Sequence, residues 1–139
     1  QISESTSAGA KVLTGGNTPN GTGFFFNPTV LTHVQPEMSV SREEVFGPVA
    51  PIISVKNPIQ AIKIANDTEY GLAGYIQGEP SHAHEVAKKI RAGQIIINGG
   101  ARGTGAPFGG YKASGNGREH GLHGLEECLE TKAVIAPGA

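Results

Sequence analysis

Strand-like and helix-like segments alternate between residues 49 and 98, and this order most constrains the fold. "VAPIISV" at 49–55 and "YGLAGYIQ" at 70–77 have the composition of strands. "QIIIN" at 94–98 is a continuous β-branched run, typical of a strand covered on both faces. A helix is expected in each of the two intervals. The order strand, helix, strand, helix, strand predicts an α/β fold, with a partial parallel sheet, right-handed crossovers and flanking helices.

The two helices have start and stop signals of their own. The first begins with Asn57 as N-cap, Pro58 in the first helical position and Gln60 at the capping-box position. Ser81 can cap the second helix, and Gly93 ends it. Three-residue and four-residue spacing gives each helix one apolar face, made of Ile59, Ile62 and Ala65 in the first and Ala83, Val86, Ala87 and Ile90 in the second.

The flanking segments are less regular. "AKVLTGG" at 10–16 and "GFFFNPTVLTHV" at 23–34 are strand candidates, and residues 99–121 form a glycine-rich stretch that we interpret as an ordered loop. Further on, "LHGLEECLE" predicts a helix with Leu122, Leu125 and Leu129 on one face, and "TKAVI" predicts a last strand. The opening "QISESTSAG" is typical of the end of a helix with Gly9 as a left-handed cap. We therefore expect the chain to be cut from a longer protein.

Bulk composition excludes several classes of function. The 139 residues fit one ordinary domain, and 11 basic against 12 acidic residues give a net charge of −1. Such a balance predicts neither nucleic-acid binding nor attraction to an anionic membrane, and the apolar stretches are too short to span a bilayer. With the single cysteine, Cys128, no internal disulfide can form, which favours a cytoplasmic location.

"EEVFGPVAP", from Glu43 to Pro51, is the segment whose order best suits a ligand site. The Glu44 carboxylate can accept two hydrogen bonds side by side, which suits a vicinal diol such as a ribose. Phe46, two residues on, can lie against a flat heterocycle, and Gly47-Pro48 turns the backbone away. The simpler alternative is that both glutamates are solvated loop acids and Phe46 is a core residue.

Other kinds of chemistry find little support in the sequence. The glycine-rich loop lacks the order of a phosphate-binding motif and better suits the wall of a pocket. His82 and His84 lie two apart on a helix, and His120 and His123 have no further ligand placed to complete a metal site, so none is predicted. Cys128 has no cation or helix N-terminus nearby to lower its pKa, and no catalytic triad is visible. The residues alone thus predict an α/β domain with a ligand cleft.

Two long motifs add a family resemblance. "SREEVFGPVAPI" and "INGGARGTGAPFGGYKASGNGREHG" together resemble the C-terminal third of an NAD(P)-dependent aldehyde dehydrogenase catalytic domain. "AGAKVLTGG", "FFFNPTVL", "ANDTEYGLAGYI", "IRAGQIIIN" and "LEECLETKAV" match the same family in the same order. The resemblance covers essentially the whole chain.

The resemblance implies roles for five residues. Glu44 would hold the hydroxyls of the nicotinamide ribose, and Phe46 would pack near the nicotinamide ring. Phe108 would line the aldehyde channel, and Asn98 with the following loop, Gly100 included, would shape the substrate pocket. No catalytic residue is assigned within this chain, because the family's cysteine nucleophile and general-base glutamate would lie upstream of Gln1.

The resemblance also implies what the intact enzyme does. It would oxidise an aldehyde to a carboxylic acid with NAD⁺ or NADP⁺ through a cysteine thiohemiacetal, whereas this chain alone would be inactive. Residues 1–120 would belong to the catalytic domain. Residues 121–139 would supply a C-terminal helix and an oligomerisation strand, at about Thr131–Ile135, that builds a homo-oligomer. The alternatives are a non-catalytic nucleotide-binding module and a self-association module. The aldehyde and the preference between NAD⁺ and NADP⁺ stay open.

Overall fold

The computed structural model describes residues 1–138, which divide into two compact units, Gln1–Ile64 and the residues from Ala65 onward. The first contains α1 (Ile2–Ser7), β1 (Lys11–Thr14), β2 (Thr29–Thr32), α2 (Ser39–Arg42) and β3 (Val49–Pro51). Helix α3 (Pro58–Asn66) runs through the boundary. The second contains β4 (Ala73–Ile76), α4 (Pro80–Ala87), β5 (Gln94–Ile97), a short 3₁₀ helix (Lys112–Ser114) and α5 (Gly121–Glu126).

The first unit is built on a three-stranded sheet in the order β1-β2-β3. Strand β2 pairs antiparallel with β1 and parallel with β3. Its apolar cluster consists of Ala10, Leu31, Val34, Met38 and Val40. Helices α1 and α2 meet at buried Ser5, whose hydroxyl lies 3.3 Å from that of Ser39 and accepts the Val40 N–H at 3.3 Å. The three predicted strands are confirmed, although each is shorter than its apolar segment.

The second unit contains a parallel pair, β4 and β5, joined through α4. The predicted apolar face of α4 is confirmed for Ala83, which is buried, and for Val86 and Ala87, which are half-buried. The helix ends at Ala87, so the predicted end at Gly93 is wrong and the half-buried Ile90 lies beyond the helix. The parallel sheet occurs as two separate pieces in the described chain, since β3 pairs with β2 and not with β4. The α/β class and its parallel pairing are therefore correct, but they do not form the single run from β3 to β5 that the alternation predicted.

The N-cap predicted for α4 is wrong. Pro80 occupies the first turn, so the cap falls on Glu79 instead of Ser81. The Glu79 carboxylate accepts the N–H groups of Ser81 at 3.1 Å and His82 at 2.8 Å, together with the Ser81 hydroxyl at 2.6 Å. The Ser81 hydroxyl, followed by the two backbone N–H groups, lowers the pKa of Glu79 from 4.5 to about 2, because each bond favours the ionised form.

Helix α3 starts as predicted, but its apolar face is not buried. Asn57 Oδ1 accepts the Gln60 N–H at 2.9 Å, and Gln60 Oε1 accepts the Lys56 N–H at 2.8 Å. Ile59, however, is 79% exposed, and no residue of α3 is buried. Sequence periodicity identifies the apolar face of a helix, but it does not show whether another part of the protein covers that face.

The C-terminal residues also differ from expectation. Helix α5 ends at Glu126, and Leu122, Leu125 and Leu129 are all more than half exposed. Residues 131–135 form no strand in the described chain, and Val134 and Ile135 are 86% and 93% exposed. A strand needs a partner for its N–H and C=O groups. Within residues 1–138 none is paired with this segment. No helix in the described part of the chain is long and apolar enough to cross a membrane.

Candidate functional site

Residues 43–48 form a loop between α2 and β3, which we call the acidic loop. The backbone leaves α2 in an extended conformation at Glu43, with φ −106° and ψ 152°. The Gly47 N–H bonds the Val45 carbonyl at 2.7 Å, and the Val49 N–H bonds the Gly47 carbonyl at 2.8 Å. The Pro48 carbonyl accepts the Thr29 N–H at 2.8 Å, which fixes the end of the loop to β2.

Alternate side chains of the acidic loop have different environments. Val45 is half-buried and packs against the apolar cluster of the first unit. Its neighbours on either side, Glu44 and Phe46, are exposed, and the Phe46 ring is 92% exposed. The bond from the Gly47 N–H to the Val45 carbonyl closes a γ-turn centred on Phe46, so the backbone is not extended at this point. Phe46 is thus not a core residue, and the Glu44 carboxylate has no hydrogen-bond partner recorded among residues 1–138.

The two acids of this loop are not equivalent, because only the first has a side-chain partner. Gln1 Nε2 donates to Glu43 Oε2 at 2.8 Å and to the Glu44 backbone carbonyl at 3.4 Å. Sequence analysis missed Gln1, and no local signal could have identified it, since the contact spans 42 positions. A cavity of about 300 Å³ opens beside the loop. It is lined by Gln1, Ile2, Ser3, Gly16, Phe26 and Val45, so Glu44 and Phe46 lie outside its lining.

Asn98 follows β5, and its side chain links the carboxyl end of that strand to Gly78, just after β4. Its side-chain Oδ1 accepts the Gly78 N–H and its Nδ2 donates to the Gly78 carbonyl, both at 2.9 Å. Positive φ values of 50° at Asn98 and 71° at Gly99, with a 3.0 Å bond from the Gly100 N–H to the Ile97 carbonyl, match a type I′ turn. The amide of Asn98 keeps one N–H and one lone pair for another partner.

Phe108 is half-buried within the glycine-rich loop. It exchanges two backbone hydrogen bonds with Glu119, at 2.8 and 2.6 Å. The Arg102 guanidinium lies 5.0 Å from its ring centroid, and the His120 ring packs edge-on at 6.3 Å. Phe108 lines a cavity of about 310 Å³, whereas Gly100 lines another of about 360 Å³ along β5. Asn98 lies outside the lining of both.

Charged side chains hold the glycine-rich loop in place. Lys112 has a positive φ of 54°, and its Nζ donates to the carbonyls of Asn66 and Thr68, each at 2.9 Å. Ser114 Oγ accepts the Gly71 N–H at 2.9 Å. Arg118 donates to several carbonyls of the loop and lies 5.2 Å from the Tyr111 ring centroid. These contacts support the expectation of an ordered loop, and they depend on residues that sequence analysis did not single out.

Other reactive groups do not gather into a site within the described chain. Among residues 1–138 no three His, Cys, Asp or Glu side chains are placed to hold a metal ion. Cys128 is exposed and free. Each unit therefore has its own candidate residues: the acidic loop in the first, and Asn98, Gly100 and Phe108 in the second.

Comparison with known proteins places this chain in one protein family. Residues 1–134 match the aldehyde dehydrogenase family. The chain is 47% identical over 138 residues to the 3-succinoylsemialdehyde-pyridine dehydrogenase of a Pseudomonas species, with 96% of this chain and 29% of the relative covered. It is 47% identical over 137 residues to a putative aldehyde dehydrogenase of Staphylococcus haemolyticus, again with 96% and 29% covered.

Solved structures give the same result. A mutant of aldehyde dehydrogenase C from Pseudomonas syringae, in complex with NAD⁺ and octanal, is 46% identical with a TM-score of 0.92, covering 99% of this chain and 30% of that one. A Mycobacterium tuberculosis aldehyde dehydrogenase in complex with NAD⁺ is 42% identical with a TM-score of 0.91, covering 98% and 29%. The chain belongs to the aldehyde dehydrogenase family, and it spans about 29% of the length of the curated relatives it matches.

Proposed function

We propose that this chain is part of an NAD(P)-dependent aldehyde dehydrogenase that oxidises an aldehyde to a carboxylic acid. The observation that carries the proposal is the unpartnered Glu44 carboxylate on the same loop as the exposed Phe46 ring, in a chain of this family. A nicotinamide cofactor supplies the hydride acceptor for such an oxidation. The cysteine nucleophile and the general-base glutamate would come from outside this chain.

Glu44 and Phe46 are proposed to bind the nicotinamide nucleoside of the cofactor. A free carboxylate can accept both hydroxyls of a ribose in charge-assisted hydrogen bonds, and its lack of a partner in residues 1–138 means that no internal bond has to be broken first. The ring of Phe46 offers an apolar face of the size that a heterocycle needs. NAD⁺ and NADP⁺ both carry this nucleoside, so the proposed contacts do not discriminate between them.

The substrate side is proposed to include Asn98, Gly100 and Phe108. Phe108 offers a half-buried ring beside a cavity, which suits an apolar aldehyde chain. Asn98 is held by Gly78 with one N–H left to donate. Gly100 brings backbone to the edge of the cavity along β5. The geometry favours no particular aldehyde.

The cofactor role is tested in the full-length enzyme that carries this segment. We expect Glu44→Gln to raise the Kd for NAD(P)⁺ about tenfold, because the neutral amide forms weaker hydrogen bonds than the carboxylate. Glu37→Gln, which changes an exposed acid of the same unit, serves as the matched control. Cofactor binding is followed by fluorescence and aldehyde oxidation by absorbance of the reduced cofactor. An unchanged Kd in Glu44→Gln contradicts the assignment, and no oxidation across a broad aldehyde panel contradicts the activity.

The chain alone is proposed to be inactive. The simpler alternatives, a nucleotide-binding module or a self-association module, predict binding or assembly without turnover in any context. Purified residues 1–139 and the full-length protein, assayed side by side with NAD⁺ and aldehydes, separate these cases. Turnover by the full-length protein, with none by purified residues 1–139, supports the proposal. Any turnover by purified residues 1–139 contradicts it.

Residues 121–139 are proposed as a C-terminal segment that joins a second copy, with 1–120 as part of the catalytic domain. Val134 and Ile135 support this proposal, because they are exposed, apolar and β-branched. Light scattering of the full-length enzyme should give a dimer or larger. Deletion of 131–139 should reduce the number of copies per particle. A cytoplasmic location is also proposed, which the single exposed thiol supports.

A further inference from the structure

The acidic loop raises the question of what fixes the backbone that carries Glu44. Val45 anchors the middle of the loop, and the Pro48 carbonyl anchors its end through Thr29. The start of the loop is held differently. One amide group, Gln1 Nε2, reaches both the Glu43 carboxylate and the Glu44 carbonyl. We propose that Gln1 is a positioning residue that sets the Glu44 carboxylate for the cofactor, an inference that rests on the function proposed above.

Gln1 is itself well placed to act as an anchor. Its carbonyl accepts the Ser5 N–H at 3.0 Å in the first turn of α1 and the Ser39 hydroxyl at 3.3 Å from α2. Ser5 is buried between the two helices. The Gln1 backbone is thus tied to both helices, and its side chain transmits that fixed position to the loop.

The bond also explains the pair of acids. The Glu43 carboxylate is directed to Gln1, whereas the Glu44 carboxylate is left without a side-chain partner. A neutral amide holds Glu43 without bringing a positive charge next to Glu44, so the negative charge of Glu44 stays available to a diol. Glu43 and Gln1 therefore position the loop, and Glu44 alone is free to bind a ligand.

The test is a charge-swap series in the full-length enzyme. Gln1→Glu keeps the shape of the side chain but replaces the donor with a second carboxylate facing Glu43. We expect the Kd and KM for NAD(P)⁺ to rise about fivefold, while the KM for the aldehyde and the kcat at saturating cofactor change less than twofold. The double variant Gln1→Glu/Glu43→Gln restores the 2.8 Å side-chain bond with donor and acceptor exchanged, although not the longer 3.4 Å bond to the Glu44 carbonyl. Its Kd should return to within twofold of the original.

A second readout does not depend on the cofactor. Hydrogen exchange of the cofactor-free enzyme should show faster exchange of residues 43–47 in Gln1→Glu and recovery in the double variant. Ser7→Ala, an exposed substitution on the same helix, should change neither quantity.

The outcomes separate this inference from the proposed function. If Glu44→Gln weakens cofactor binding but Gln1→Glu does not, the positioning role is wrong and the function stands. If Gln1→Glu weakens binding and the double variant fails to recover it, the effect is general damage to α1 and the inference is also wrong. If neither variant changes cofactor affinity, the assignment of Glu44 fails first.

Discussion

The acidic loop of the first unit and the glycine-rich loop of the second are ordered by different means. The acidic loop is largely exposed, and is held by one amide side chain, one half-buried valine and one backbone bond to β2. The glycine-rich loop is held by close contact between backbone segments and by Lys112, Ser114 and Arg118. At Gly93 an added Cβ would overlap the carbonyl oxygen of Gly109, so the backbones approach closer than any side chain permits.

This difference indicates how each loop should respond to change. Backbone packing tolerates almost no added volume, because nothing flexible can move aside. A loop held by side-chain contacts can lose one of them and stay folded, at the cost of a less fixed position. Substitutions in the glycine-rich loop should therefore affect stability first, and those in the acidic loop should affect binding first.

The largest effect is expected at Gly93. Gly93→Ala should destabilise the protein by about 3 kcal/mol, because the methyl group forces the 93 and 109 backbones apart. Gly103→Ala is the matched control: its added Cβ meets nothing within 4 Å, and its stability should change by less than about 1 kcal/mol. Urea unfolding measures both. Equal effects of the two substitutions would show that the close backbone approach does not govern this loop.

A smaller loss is expected at Lys112. Lys112→Met should cost about 2 kcal/mol, because the carbonyls of Asn66 and Thr68 lose a charged donor in a half-buried site. Lys89→Met removes an exposed lysine of the same unit and should change stability by less than about 0.5 kcal/mol. Thermal unfolding compares the two. A neutral Lys112→Met would mean that the glycine contacts alone hold the loop.

In the acidic loop the expected loss of stability is smaller still. Val45→Ala should cost about 1 kcal/mol, since the side chain is only half-buried, yet it should also weaken NAD(P)⁺ binding. Val55→Ala, at a more exposed valine of the same unit, should leave cofactor affinity unchanged. Calorimetry of unfolding and of binding tests the pair. A loss of stability without a loss of affinity would contradict the contrast between the two loops.

The smallest effect concerns α4, which leads into β5 beneath the glycine-rich loop. The pKa of Glu79 is lowered to about 2, so its stabilising contribution is complete above pH 4.5 and is lost as the pH falls from 4.5 towards 2. Ser81→Ala removes the largest cause and should raise the pKa of Glu79 towards 4.5. NMR titration of the carboxyl group measures the change. A pKa that stays near 2 in Ser81→Ala would assign the shift to the backbone N–H groups alone.

The sequence predicts those features that are encoded locally. The β-branched run at 94–97 forms β5, and Asn57 and Pro58 begin α3 where expected. Phe46 is exposed, so the alternative that it is a core residue is wrong, whereas its role in ligand binding stays a prediction.

Features that depend on distant partners were not predictable. Periodicity could not tell that Ile59 would lie exposed, and the 131–135 segment, predicted as a strand, has no paired strand within residues 1–138. The cap of α4 moved to Glu79 because Pro80 occupies the first turn, a choice that a list of favoured capping residues misses. Gln1 and Lys112 act through carbonyl and carboxylate oxygens more than 40 positions away, so no local pattern marks them.

The pair of hydrogen bonds between the Asn98 side chain and the Gly78 backbone has one further consequence. With one donor and one acceptor already engaged, the amide plane cannot rotate, and its remaining hydrogen points in a single direction before any ligand arrives. A carbonyl group binding there would not have to freeze a rotating side chain, so that entropic penalty is removed from the association step. Asn98 would thus act as a preorganised donor, because folding already fixes the direction of its free N–H bond.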